Sequence, residues 1–129
     1  MAASIHLDTN FLIYYVGGGN DGIVEQIEQW ILEGTSICVS AMAWAEFQCG
    51  PLPSAEQAAA AELLQAILPV NAAVAATAGD LFRKTGRRTR SLPDCLIAAT
   101  AILEHAPLAT NNRADFEPFV PYGLLLSKI

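Results

Sequence analysis

The chain has 129 residues, 53% hydrophobic and 16% charged, with a formal net charge of −6 at pH 7, which suits one ordinary domain with its own core and no need of covalent staples. No apolar run approaches the roughly 20 residues that span a bilayer, and no basic segment with a signal-like apolar core opens the chain, so a cytoplasmic protein with no membrane role is expected. So apolar a composition implies a large core or apolar surface covered by another chain.

Residues 5–8, "IHLD", read as a short buried strand, and Thr9 to Val16 as a helix whose apolar face starts at once. "GGGND" at 17–21 breaks the chain. From Asp21 to Glu33 the residues Ile23, Ile27, Trp30 and Ile31 recur at helical spacing, and Gly34 supplies the stop. "SICVS", 36–40, is a second buried strand. Ser40 suits the N-cap of a helix that runs to Gly50, where "GPLP" ends it. Ser54 then caps an Ala-rich helix, "AEQAAAAELLQAIL", closed by Pro69, and a third strand is expected near Pro69 to Asn71.

A helix from about Ala72 to Thr85 follows. Ser91 and Pro93 open another, "DCLIAATAILEH", followed by the strand "PLAT" at 107–110, the turn "NNRADF" and a tail, "YGLLLSKI", expected to be a last strand. Strands alternating with helices predict a three-layer α/β sandwich around a mostly parallel sheet of about four to five strands, in one domain over 1–129. The loops after the strand C-termini of such a sheet gather at one edge, where ligands bind.

The three cysteines, Cys38, Cys49 and Cys95, are odd in number, widely spaced and set among apolar residues, so they read as buried reduced thiols rather than a disulfide or zinc framework. With His6 and His105 the only histidines, a thiol-histidine nucleophilic pair has weak support. The negative charge argues against a nucleic-acid partner, but its distribution does not: five of the seven basic residues, Arg83, Lys84, Arg87, Arg88 and Arg90, fall in "RKTGRRTR". That window is either a phosphate contact or a solvated helix end, where cations are favourable anyway.

Four acids stand out. Asp8 follows the first strand. Glu46 interrupts an apolar helix, with no basic residue at i±3 or i±4; it lies on a narrow solvated stripe or has a specific partner. Asp94, third after Ser91, suits a capping box, and Asp115 could cap the "FEPF" turn. Each has an ordinary structural explanation taken singly. Several of them nevertheless arrive at one sheet edge, and converging carboxylates without basic partners call for a hard divalent cation, Mg²⁺ or Mn²⁺.

"LDTNFLIYY" at 7–15, "SAMAWAEF" at 40–47, "PDCLIAATA" at 93–101 and "LATNNRADF" at 108–116 resemble, in order and spacing, the PIN-domain ribonucleases, in particular the VapC-type toxins of toxin-antitoxin pairs. The resemblance implies a metal site at Asp8, Glu46, Asp94 and Asp115, with Asp8 and Asp94 the closest ligands and Glu46 or Asp115 binding directly, through water, or as the base. It implies supporting roles for Thr9, Asn10, Thr110 and Asn112, and phosphate contacts from the basic window. The implied activity is Mg²⁺- or Mn²⁺-dependent endoribonucleolytic cleavage. The implied partners are RNA, a small antitoxin and a second copy of the chain; the apolar composition makes "NFLIYYV" at 10–16 and the "WILEG" helix candidate faces for them, with core packing the alternative expected for most of those side chains.

Two other readings compete. A haloacid-dehalogenase-like phosphatase would carry a second acid where Asn10 stands and a downstream lysine, and the only lysines are Lys84 and Lys128. A PIN-like module that binds without cutting would be expected to lack one of the four acids.

Overall fold

A computed structural model describes residues 3–86 and 91–127. Four short strands, β1 (Ser4–Leu7), β2 (Ser36–Ser40), β3 (Ala66–Leu68) and β4 (Leu108–Ala109), form a sheet in the order β3-β2-β1-β4, and every pairing is parallel. Parallel neighbours need crossovers, and helices supply them: α1 (Thr9–Gly17) and α2 (Asp21–Leu32) after β1, α3 (Ala41–Gln48) and α4 (Ser54–Leu63) after β2, and α5 (Ala72–Lys84) and α6 (Leu92–Leu103) after β3; the short α7 (Arg113–Phe116) follows β4. This is the expected three-layer α/β arrangement. Among the described residues, no helix is long and apolar enough to cross a membrane.

The strands are apolar because the sheet is covered on both faces: Ile5, Leu7, Ile37, Val39, Leu108 and Ala109 are all buried. The register sets Ile5 beside Ile37 and Leu7 beside Ala109. The C-terminal ends of β1, β2 and β4 therefore finish at a common edge, delivering Asp8, Ser40 and Thr110 there.

Helix starts are fixed by side chains that accept orphan backbone N–H groups, a contact worth about 1 kcal/mol each. Asp8 accepts from Phe11 N (3.0 Å), Asn20 from Ile23 N (3.2 Å), Ser40 from Ala43 N (3.0 Å) and Asn71 from Val74 N (2.9 Å). Gly34, at φ +79°, turns the chain from α2 into β2, a conformation only glycine adopts without strain.

Both consequences of the apolar composition are present. Phe11, Leu12, Ile23 and Ile27 pack into the core, and the Phe11 and Trp30 rings stack with centroids 6.4 Å apart. Ile13, Ile31, Leu32 and Leu125 remain exposed, Leu32 at 82%.

Several expectations are corrected. The Ala-rich helix stops at Leu63 rather than Pro69, starts at Ser54 without a side-chain cap, and gives way to β3 at 66–68, before the expected position. Residue 68 precedes a proline, which disfavours helix, and β2 offers a free ladder: Gln65 N donates to Ile37 O at 2.8 Å. Among its described residues the tail is not a strand; they make a single bridge, Leu126 with Leu108, after a 3₁₀ turn over Glu117–Tyr122. Ile31 faces out rather than in, and Cys49 is exposed at the end of α3, whereas Cys38 and Cys95 are buried as expected.

His6 lies in the middle of the sheet beside Cys38 and Leu108. It is 2% exposed, and its Nδ1 has no hydrogen-bond partner among the described residues. Burial pushes its pKa down to about 4. The folded state thus refuses a proton that the unfolded chain accepts between about pH 6.5 and 4, and stability is lost as the pH falls through that window. His6→Leu removes this loss. Denaturant melts of the two proteins should diverge by roughly 3 kcal/mol in favour of the variant between pH 7.5 and 4; parallel pH profiles would show that His6 is not held neutral.

Candidate active site

Asp8, Thr9, Asn10, Glu46, Asp94 and Asn112 line one cleft of about 160 Å³, with Ile97 and Phe116 as its apolar walls. Asp8 comes from the end of β1, Thr9 and Asn10 from the first turn of α1, Glu46 from α3, Asp94 from the first turn of α6, and Asn112 from the turn after β4. The parallel sheet therefore assembles residues more than a hundred positions apart. Asp115, on α7, does not line the cleft; it is exposed beside it.

Each carboxylate is held differently. Asp8 is 3% exposed. One of its oxygens accepts from Phe11 N and the other from the Thr110 hydroxyl at 2.5 Å. Thr110 Oγ1 in turn accepts from Asn112 N at 2.9 Å. Glu46 is half-buried, and its Oε1 accepts from the Thr9 hydroxyl at 2.7 Å, so the solvated-stripe explanation fails. Asp115 accepts from Asn112 Nδ2 at 2.6 Å rather than capping the next turn. Among the described residues, no hydrogen-bond donor holds the Asp94 carboxylate, and Ser91 makes no side-chain capping bond to α6, so the capping-box explanation does not apply.

The protonation equilibria follow from this. Burial pushes the Asp94 pKa up to about 6, and the neighbouring charges of Asp115, Glu46 and Asp8 push the same way. Burial also raises Asp8, against the pull of the Thr110 hydroxyl and the backbone N–H groups of Phe11 and Asn10, while the Glu46 charge adds to the rise.

The donors facing the cleft are oxygens, as a hard divalent cation requires. Among the described residues, no three Asp, Glu, His or Cys side chains stand close enough to enclose an ion as they are. Mg²⁺ does not ask for that: it dehydrates reluctantly, keeps several waters and takes one or two carboxylates directly. An open acidic cleft with uncompensated charge fits such an ion.

Of the basic window, Arg83 and Lys84 close α5 and both pair with Asp80, at 3.1 and 2.8 Å. Lys84 also sits 5.4 Å from the centre of the Tyr122 ring. Neither lines the cleft. Arg87, Arg88 and Arg90 lie outside the described residues. Sequence reasoning missed the two apolar walls; Ile97 was legible, being one helical turn beyond Asp94.

The PIN domain family profile matches residues 5–117. The chain belongs to the PIN domain family. Among solved structures, this PIN domain is similar to VapBC2 from Rickettsia felis bound to a DNA fragment from its promoter, at 26% identity and a TM-score of 0.73 over 96% of this chain and 97% of that one. It is similar to a toxin-antitoxin complex from Klebsiella pneumoniae, at 26% identity and a TM-score of 0.68 over 87% and 89% of the two chains. It shares the fold of FitAcB from Neisseria gonorrhoeae, at 24% identity and a TM-score of 0.71 over 95% and 96%. No relative is found among proteins of curated function. The PIN match sets aside the haloacid-dehalogenase-like alternative.

A site that holds acids against their own repulsion costs stability. Because the folded pKa of Asp94 is raised to about 6, its ionised form destabilises the fold above that pH, and the penalty fades as the pH falls toward 4. In chelator at pH 7.5, Asp94→Asn should therefore melt higher than wild type, by about 1 kcal/mol after allowing for solvent screening of a half-exposed group. The gain should shrink at pH 4.5. An equal or lower melting temperature at pH 7.5 would contradict this electrostatic account.

Proposed function

We propose that this PIN domain is a divalent-metal-dependent endoribonuclease and the toxin of a toxin-antitoxin pair. The observation that carries the reading is the cleft itself, where Asp8, Glu46 and Asp94 meet without a single basic residue among those lining it. Uncompensated carboxylates make a poor binding surface for a polyanion unless a cation stands between.

Asp8, Asp94 and Glu46 would hold Mg²⁺ or Mn²⁺, which when bound supplies an activated water and charge neutralisation at the phosphorus. The chain's own residues do the rest. Phe11 N and Thr110 fix both oxygens of Asp8, so its geometry is set before any ligand arrives. Thr9 occupies Glu46 Oε1, which leaves Oε2 as the oxygen that would face the ion, directly or through water, or act as the base. Ile97 and Phe116 form walls that exclude bulk water from one side of the cleft. The basic window at 83–90 is proposed to contact RNA phosphates beside the cleft, Arg83 and Lys84 with their charge partly offset by Asp80.

The VapBC and toxin-antitoxin neighbours support a small antitoxin as the partner. Its proposed seat is a groove of about 300 Å³ between α1, α3 and α4, floored by Ile13, Val16, Phe47 and Leu52 and flanked by Glu46 and Glu56. Glu46 lines both this groove and the cleft, so an apolar segment bearing a cation would cover the first and reach the second. A second copy of the chain is expected in the assembly, as are other clients for exposed residues such as Leu32 and Leu125.

The test is cleavage of total cellular RNA by purified protein with Mg²⁺, Mn²⁺ or chelator. Cutting should require the metal and fall by about a thousandfold or more in Asp8→Asn and Asp94→Asn, a cost of roughly 4 kcal/mol in barrier, with circular dichroism unchanged. Undiminished cutting in chelator, or by Asp94→Asn, would refute the assignment. Ile13→Asp, in the groove rather than the cleft, should cut normally but release a co-expressed antitoxin; a complex of unchanged stability would move the partner elsewhere.

A further inference from the structure

Every other aromatic residue of the chain is buried or half-buried; Tyr122 alone is exposed, at 42%. Its exposure is built in. It ends the 3₁₀ turn over Glu117–Tyr122, whose Phe119 is buried and meets the Phe116 ring edge-on with centroids 6.2 Å apart, and Leu124 just beyond is buried as well. Pro121 fixes the backbone before the ring, and Gly123, at φ +112°, turns the chain after it. A ring anchored on both sides has little conformational freedom left to lose when something stacks on it.

What meets the ring is a cation. Lys84 Nζ, from the end of α5, lies over it 5.4 Å from the centroid. Lys84 and Arg83 also share Asp80, at 2.8 and 3.1 Å, with all three side chains about half exposed, so the group keeps one positive charge beyond its ion pairs. Contacts between groups this exposed are weak, and an incoming anion replaces them at little cost. The charge around them is also unusual for this molecule: five of its seven basic residues fall within 83–90 of a chain with a net charge of −6. The end of α5 is where a polyanion is attracted rather than repelled.

An exposed ring beside a cation is how single-stranded nucleic acids are gripped without reading their sequence, the base stacking on the ring and its phosphate meeting the charge. An acidic peptide would use the cations and leave the ring idle. From these contacts we infer that Tyr122 and Lys84 form a subsite for single-stranded RNA, the ring stacking one base and the ammonium taking a neighbouring phosphate, with Arg83 as a second phosphate contact. None of the three lines the acidic cleft, so the subsite holds a nucleotide other than the one being cut and needs no metal to do so. The inference rests on the ribonuclease reading above and deepens it by naming the substrate class: a base that stacks on Tyr122 is unstacked from its own neighbours, which favours single strands over duplex.

The test is fluorescence anisotropy, on the full chain in chelator so that nothing is cut, with a labelled single-stranded RNA of about 12 nucleotides, its abasic counterpart and poly-glutamate. Tyr122→Ala should bind the RNA about five- to tenfold more weakly, the low end of what one stacked base contributes, and should bind the abasic strand as wild type does. Tyr122→Phe keeps the ring and should bind both strands as wild type does. Lys84→Gln should weaken both strands alike and lower the slope of log affinity against log salt by about 0.7, the signature of one phosphate contact on a single strand.

Unchanged RNA binding by Tyr122→Ala overturns the inference, and so does an equal loss on both strands, which is also what a damaged fold would give. Poly-glutamate bound as tightly as the RNA, with the same dependence on Tyr122, would make the patch a seat for an acidic protein instead. A wild type that cuts RNA with Mg²⁺ yet binds none in chelator removes this subsite and leaves the ribonuclease reading standing; one that neither cuts nor binds removes both.

Discussion

Like charges gathered on a cleft lined by no cation are the constraint on which the rest of this molecule depends. Carboxylates repel across a partly desolvated space more strongly than in water, so something other than a counter-ion has to hold them in place. Neutral hydrogen-bond donors do this here: the Thr110 hydroxyl on Asp8, the Thr9 hydroxyl on Glu46 and the Asn112 amide on Asp115. A lysine or arginine in those places would have quenched the charge the site needs. A hydroxyl or amide orients the oxygen and leaves most of the charge available.

The sheet exists, from the point of view of function, to make those contacts possible. Parallel pairing of β1 with both β2 and β4 ends three strands at one edge, and the apolar residues that bury those strands make their ends hard to displace. The cleft in turn taxes the fold. Asp94 has its pKa raised to about 6, and His6, a few residues from Asp8 along β1, is kept neutral by burial. Their pH dependences oppose each other: acid relieves Asp94 and penalises His6. Between about pH 6.5 and 4 the buried His6 and the partly buried Asp94 offset each other, while the surface ion pairs of the described residues are only those of Asp80.

Much of this was legible in the sequence where the information is local. The strand at 36–40, the helix starts at Thr9, Asp21 and Ala72, and the Gly34 stop follow from periodicity, caps and breakers. The stretch 64–71 was misplaced because "LLQAIL" continues a helical composition, and only the open edge of β2 makes it a strand. The tail fails as a strand for the converse reason, apolar sequence with little to pair with beyond Leu108. The acids could be singled out by their lack of local partners, but not their restraints. Thr9 and Glu46 are 37 positions apart, and Thr110 and Asp8 are 102 apart; no periodicity reports such pairs. Asp115 shows the limit most plainly, since its place in a motif gives no sign that the Asn112 side chain holds its carboxylate.

The central claim is that an acidic cleft, with Asp8 and Glu46 held by neutral donors and Asp94 left without one among the described residues, is built for a divalent cation. Anomalous diffraction from crystals grown with Mn²⁺ tests it most directly, because it locates the ion without reference to activity. The account predicts a peak within ligand distance of Asp8 and Asp94, with Glu46 and Asp115 bound directly or through water. A fully loaded crystal with no peak in the cleft, or with the ion held elsewhere on the chain, would contradict it.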